Sequence, residues 1–193
     1  MRAKNLFVTM FLLLGLTACA SQPLQTLPEL TFSHLPPVKL AVSRVDTVNN
    51  YAPPAGKPHV EHQVPVAPST AVMRWGRERL QAAGARGLGK LTVVEASMVE
   101  DPLPVKKGVK GAFTKEQSER YTATIEAIIE LQGANAAERG HATARVTRST
   151  TVREDASLHD RERVQFELVE ALMVQFDAEM EKNIRAHLAN WIR

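Results

Sequence analysis

The chain has 193 residues, with 24 Lys and Arg against 21 Asp and Glu, a formal net charge of +3. That length suffices for one domain with a real core, and so small a positive surplus gives no argument for a nucleic-acid partner. A single cysteine leaves no internal disulfide, so packing must hold the fold.

The first 18 residues read as an address rather than as structure. Arg2 and Lys4 make a positive start, Leu6 to Leu14 is apolar except for Thr9, and Gly15 precedes a small-residue site. These are the three parts of a secretory signal. The apolar run falls short of the ~20 residues needed to span a bilayer. Removing residues 1–18 takes away Arg2 and Lys4 and lowers the net charge from +3 to +1.

Leu16-Thr17-Ala18-Cys19 closes this segment and resembles the lipobox of bacterial lipoproteins. The resemblance implies cleavage just before Cys19, with lipid carried on its sulfur and its new amino group. Each buried CH₂ contributes roughly 0.8 kcal/mol, so several acyl chains anchor far more firmly than one. Ala20 and Ser21 follow. By resemblance to lipoprotein sorting in Gram-negative bacteria, the lack of an acid there implies the periplasmic face of the outer membrane. The other reading is an ordinary signal with an incidental cysteine.

Residues 19–37 carry Pro23, Pro28, Pro36 and Pro37 and read as a tether. The domain proper is expected over 38–193. Alternation in Val38, Leu40 and Val42 predicts a strand to about Val48, with a register change near Arg44. Tyr51 to Pro68 is proline-rich and aperiodic, which predicts a solvated loop. It holds His59-Val60-Glu61-His62, too few ligands for a zinc site, and no metal or other cofactor is expected. Ser69 or Thr70 can cap a helix carrying Val72, Trp75, Leu80 and Ala83 on one face, and Gly84 predicts its left-handed end.

Gly84 to Lys90 imitates a phosphate-binding loop. Leu91 stands where Ser or Thr is required, and the loop leads from a helix into a strand, the reverse of the order that brings helix-end amides to a phosphate. Leu91 to Val99 reads as a strand. The segment to Ser118, with Lys106, Lys107, Lys110 and Lys115, reads as a mobile hairpin loop. Over 119–132, Tyr121, Ala123, Ile125, Ala127, Ile129 and Leu131 share one face, the clearest strand in the chain. After a turn at 133–140, Ala142, Ala144, Val146 and Val152 continue that face, interrupted by Arg148, which either lies at an open edge of the core, the favoured reading, or pairs with an acid. Ser157 and Asp160 resemble a capping box. From Leu158 almost to Arg193 the pattern is helical, about 50 Å of helix at 1.5 Å per residue.

The order strand-helix-strand-strand-strand-helix predicts an α/β two-layer sandwich: a mixed four-stranded sheet with two helices on one face. The lipobox, tether and element order are similar in outline to small Gram-negative envelope lipoproteins, of the lipopolysaccharide-assembly or ABC-transport auxiliary kind. That resemblance implies a non-catalytic accessory of envelope assembly or lipid transport. Its partners would be the membrane, through the lipid anchor, and an envelope or transport protein. If the helix end outruns the sheet, Leu188, Trp191 and Ile192 are the candidate contact; the other reading packs them into the core. An enzyme is not expected: there is no Gly-x-Ser-x-Gly, and the six histidines are scattered. One alternative is a binder of a small apolar ligand or lipid, which a closed apolar pocket would mark; the other is an enzyme of unknown type.

Overall fold

Alternating apolar residues over a long run give the central strand, β5 (Gln117–Gln132), whose inward face from Tyr121 to Leu131 is fully buried. In the computed structural model, which describes residues 26–104, 116–135 and 137–193, β5 lies between two antiparallel neighbours. These are β4 (Leu88–Pro102) and β6 (Arg139–Arg153). β2 (Arg44–Asn49) runs parallel to β4, giving the order β2-β4-β5-β6. Helices α1 (Pro68–Arg79) and α2 (Leu158–His187) cover one face. The mixed sheet and two-layer sandwich are as the periodicity predicts.

The helix layer is joined at one point. Trp75 of α1 meets Phe176 of α2 edge to face, with ring centroids 5.1 Å apart. The Trp75 indole N–H and Arg79 Nε both donate to Asp177 Oδ1 at 2.7 Å, and Arg79 Nη2 donates to Glu181 Oε2 at 2.5 Å. Arg79 is only 1% exposed, so this ion pair sits inside the layer. Removing one partner would leave an uncompensated charge there.

A β-bulge shapes β4. The register shifts between Val93 and Glu95, so Leu91 and Val93 point inward before it and Ala96 and Met98 after it, while Val94 is 42% exposed.

Several expectations need correction. The strand at 38–48 is two strands. β1 (Val38–Leu40) breaks off before Arg44 and pairs in parallel with β3 (Leu80–Ala82) as a separate small sheet. α1 therefore ends at Arg79. Gly84 is not a left-handed cap; a Cβ there would lie 2.4 Å from the Ala41 carbonyl carbon, so a close backbone approach demands glycine. The tether is shorter than 19–37, because Leu30 and Phe32 join the core. The Phe32 N–H donates to Glu78 Oε2 at 2.5 Å, and Arg74 Nη1 to the Leu30 carbonyl at 3.0 Å.

The second helix begins at the expected capping box. Asp160 N–H donates to Ser157 Oγ at 3.1 Å, and Ser157 N–H returns to Asp160 Oδ2 at 3.2 Å. It stops at His187 rather than projecting. A short 3₁₀ turn, Ala189–Trp191, folds the chain back so that Ile192 bridges Leu40. Ala41 N–H donates to the Trp191 carbonyl at 2.7 Å, and Arg193 N–H to the Lys39 carbonyl at 3.0 Å.

Candidate functional site

The C-terminal contact does not stand as a free surface. Leu188 is 0% exposed, and Trp191 and Ile192 are half-buried against the core, because the 3₁₀ turn lays them along β1. Cys19 and the signal lie outside the described residues, as do Lys106, Lys107, Lys110 and Lys115.

The segment at 51–68 is a loop with no strand of its own, exposed over residues 52–58 as expected, but its stretch from Pro58 to Glu61 lies along β4. β2 accompanies β4 only as far as Val93. Beyond it, Asn50 N–H donates to the Val93 carbonyl at 3.0 Å, Val60 N–H to the Met98 carbonyl at 3.0 Å, and Glu100 N–H to the Pro58 carbonyl at 2.9 Å. His59 forms an isolated antiparallel bridge with Val99. The loop thus continues the edge of β4 where β2 leaves it.

Glu61 completes this edge with its side chain. The residue is 5% exposed. Its Oε1 accepts from Met98 N–H at 3.0 Å and from the Tyr51 hydroxyl at 2.7 Å, and lies 3.0 Å from His59 Nδ1. Its Oε2 is buried with no hydrogen-bond partner among the described residues. Burial pushes the carboxyl up. The hydrogen bond with His59, those from its own backbone and Met98, and that from Tyr51 outweigh burial, so it titrates below the ordinary carboxylate range. The Tyr51 hydroxyl is pushed far up by burial, by its bond to Glu61 and by the charges of Glu61 and Glu95. An ionised Glu61 therefore stands where a neighbouring strand's carbonyl would accept. This is a clasp, and the sequence signal for it was only a Glu between two histidines.

The opposite edge is β6. Among the described residues its outward backbone has one taker: Asn183 Nδ2 of α2 donates to the Thr143 carbonyl at 2.8 Å. Arg145 bridges Glu126 and Glu95, the latter at 2.7 Å, on the helix-free face of the sheet. Those two carboxylates raise its already high pKa. Thr124 and Thr147 share a hydrogen bond of 3.0 Å on the same face. Arg148 is exposed, as an edge position requires.

No family model matches this chain, and no curated protein matches it. Among solved structures it is similar to the crystal structure of protein XCC0632 from Xanthomonas campestris, described under the family model DUF330. The identity is 12%, over 83% of this chain and 93% of that chain, with a TM-score of 0.34. A likeness of that size assigns neither family nor function.

The grooves are surface features. One of about 700 Å³ lies on the helix-free face and mixes Asp46, Lys90, Glu130 and His141 with Ile128 and Thr143. Such a lining differs from the mostly apolar walls of a small-molecule site. The apolar interior is filled by large side chains, Trp75, Met98, Met173, Phe176 and Met180 among them. Among the described residues, no three His, Cys, Asp or Glu side chains converge to hold a metal ion.

Proposed function

We propose that this protein is a lipid-anchored accessory of the bacterial envelope, held to the periplasmic face of the outer membrane through Cys19. It acts in envelope assembly or lipid transport by protein contact rather than by catalysis. The anchor rests on Leu16-Thr17-Ala18-Cys19. The observation that carries contact over ligand binding is a filled core beneath a sheet with one unclasped edge.

The experiment is fractionation with complementation. In cells lacking the native gene, the wild-type chain is expected to label with palmitate, sediment with outer membranes and restore resistance to detergent. Cys19→Ser is expected to lose the label, appear in the soluble periplasmic fraction and fail to restore resistance. A Cys19→Ser protein that sediments and complements like the parent would falsify the anchored reading.

A further inference from the structure

The hydrogen bonds on the clasped side of the sheet fix which groups point outward on the other. Val93, Met98 and Glu100 aim their backbone away from β5, toward Asn50, Val60, Glu61 and Pro58. Their partners across β5 are Ala127, Ala123 and Tyr121. In an antiparallel ladder bonded and non-bonded pairs alternate. These three therefore bond to their partners on β6, which are Ala144, Arg148 and Thr150. The residues between, Arg145, Thr147, Ser149 and Thr151, turn their N–H and C=O groups away from the sheet. The Asn183 bond to the Thr143 carbonyl has the same parity and confirms it. Beyond that cap, Arg145 to Thr151 offers an unpaired edge of roughly 20 Å, the length of an ordinary strand.

The charge of this edge is one-sided. Arg139 to Arg153 contains four arginines and a histidine and no acid. Arg145 has Glu95 and Glu126, and Arg153 has Asp155. The Arg148 side chain has no ion pair or hydrogen bond among the described residues, and its position on β6 is on the side of the sheet that carries the helices. A second copy is a poor occupant, because an antiparallel pair centred on this edge sets Arg148 against Arg148, and like charges facing each other are unfavourable. A strand with a carboxylate at that position is favoured for the same reason.

We propose that the β6 edge from Arg145 to Thr151 receives an extended acidic segment of a partner protein as a fifth strand, with an Asp or Glu facing Arg148. This deepens the protein-contact reading above and rests on it.

The test uses the full lipidated chain in detergent micelles. Two fluorescent peptides of alternating Thr and Val serve as probes, one with Glu and one with Lys at its centre. The Glu peptide is expected to bind at least about five-fold more tightly than the Lys peptide. It is expected to slow amide exchange at Arg145, Thr147, Ser149 and Thr151. Arg148→Glu is expected to invert the preference. A Glu peptide N-methylated at alternate residues is expected to lose binding, since pairing runs through the backbone. Equal binding of the two peptides, an unchanged preference in Arg148→Glu, or protection elsewhere on the protein overturns the proposal. The two readings fail separately. Peptide failure with Cys19-dependent complementation intact overturns the strand-addition site alone. Complementation by Cys19→Ser overturns the anchored function and leaves the peptide result standing.

Discussion

At one margin of the sheet β4 hands its outward groups to β2, then to Asn50, Glu61, Val60 and Pro58; at the other margin β6 hands one carbonyl to Asn183. The guarded margin uses a long connection with buried Val60 and a buried carboxylate. The open margin uses short polar side chains and an Arg148 whose side chain has no partner among the described residues. Covering an edge takes residues from far along the chain, whereas charging it takes one substitution in place. An edge covered by its own chain is closed to other proteins. A charged edge is closed only to partners of the same charge.

The shared core sets the scale for disturbing either margin. Ile125→Ala, beneath both, is expected to cost about 2–5 kcal/mol, read as a melting shift and as faster amide exchange at the two edges alike. On the opposite face Thr124, 8% exposed and bonded to Thr147, is expected to cost about 1 kcal/mol when cut to Ala. Equal losses for the two would show that the inward register is misassigned.

Glu61→Ala aims at the clasp itself. It orphans the Met98 N–H and the Tyr51 hydroxyl, a loss of roughly 2–3 kcal/mol. Amide exchange is expected to rise at Met98 and Glu100 and to stay unchanged along β6. A uniform rise across the sheet would break the contrast between the margins.

Acid probes the same margin more gently. The folded-state pKa of Glu61 is depressed below its ordinary value of 4.5, so its contribution is present at neutral pH and lost as pH falls below that value. Melting between pH 7 and pH 3 is expected to show a steeper acid limb in the wild type than in Glu61→Gln. Parallel curves would assign the acid sensitivity to other groups. The smallest effect belongs to the open side. Arg148→Ala is expected to change stability by less than about 0.5 kcal/mol, since nothing described leans on it, and a larger melting loss would show that the edge is already engaged.

The sequence makes the centre of the molecule legible and its margins much less so. β5 and the first half of β6 follow from period-two alternation, and the start of α2 from Ser157 and Asp160, because those signals are local. Glu61 was not legible, because its meaning depends on Met98, 37 residues further on. The bulge at Val94 is marked in the sequence only by the adjacent pair Val93-Val94, and alternation alone does not say which of the two falls out of phase. Gly84 carried the composition of a helix stop, but the constraint on it comes from the Ala41 backbone. The stripe ending at Trp191 is legible as apolar, but the turn that folds Trp191 and Ile192 back onto β1 is not. Periodicity says which side chains avoid water and not where a helix turns back.

The rung between Leu40 and Ile192 joins positions 152 apart (192 − 40). Closing so long a loop costs entropy before any contact repays it, so this seam is expected to close late in folding. It forms only after every strand and helix between has been synthesised. Disturbance there acts on the rate of opening more than on the rate of folding. The seam between β1 and Ile192 is accordingly expected to act as a kinetic latch, so that Ile192→Ala speeds unfolding in denaturant more than it slows refolding.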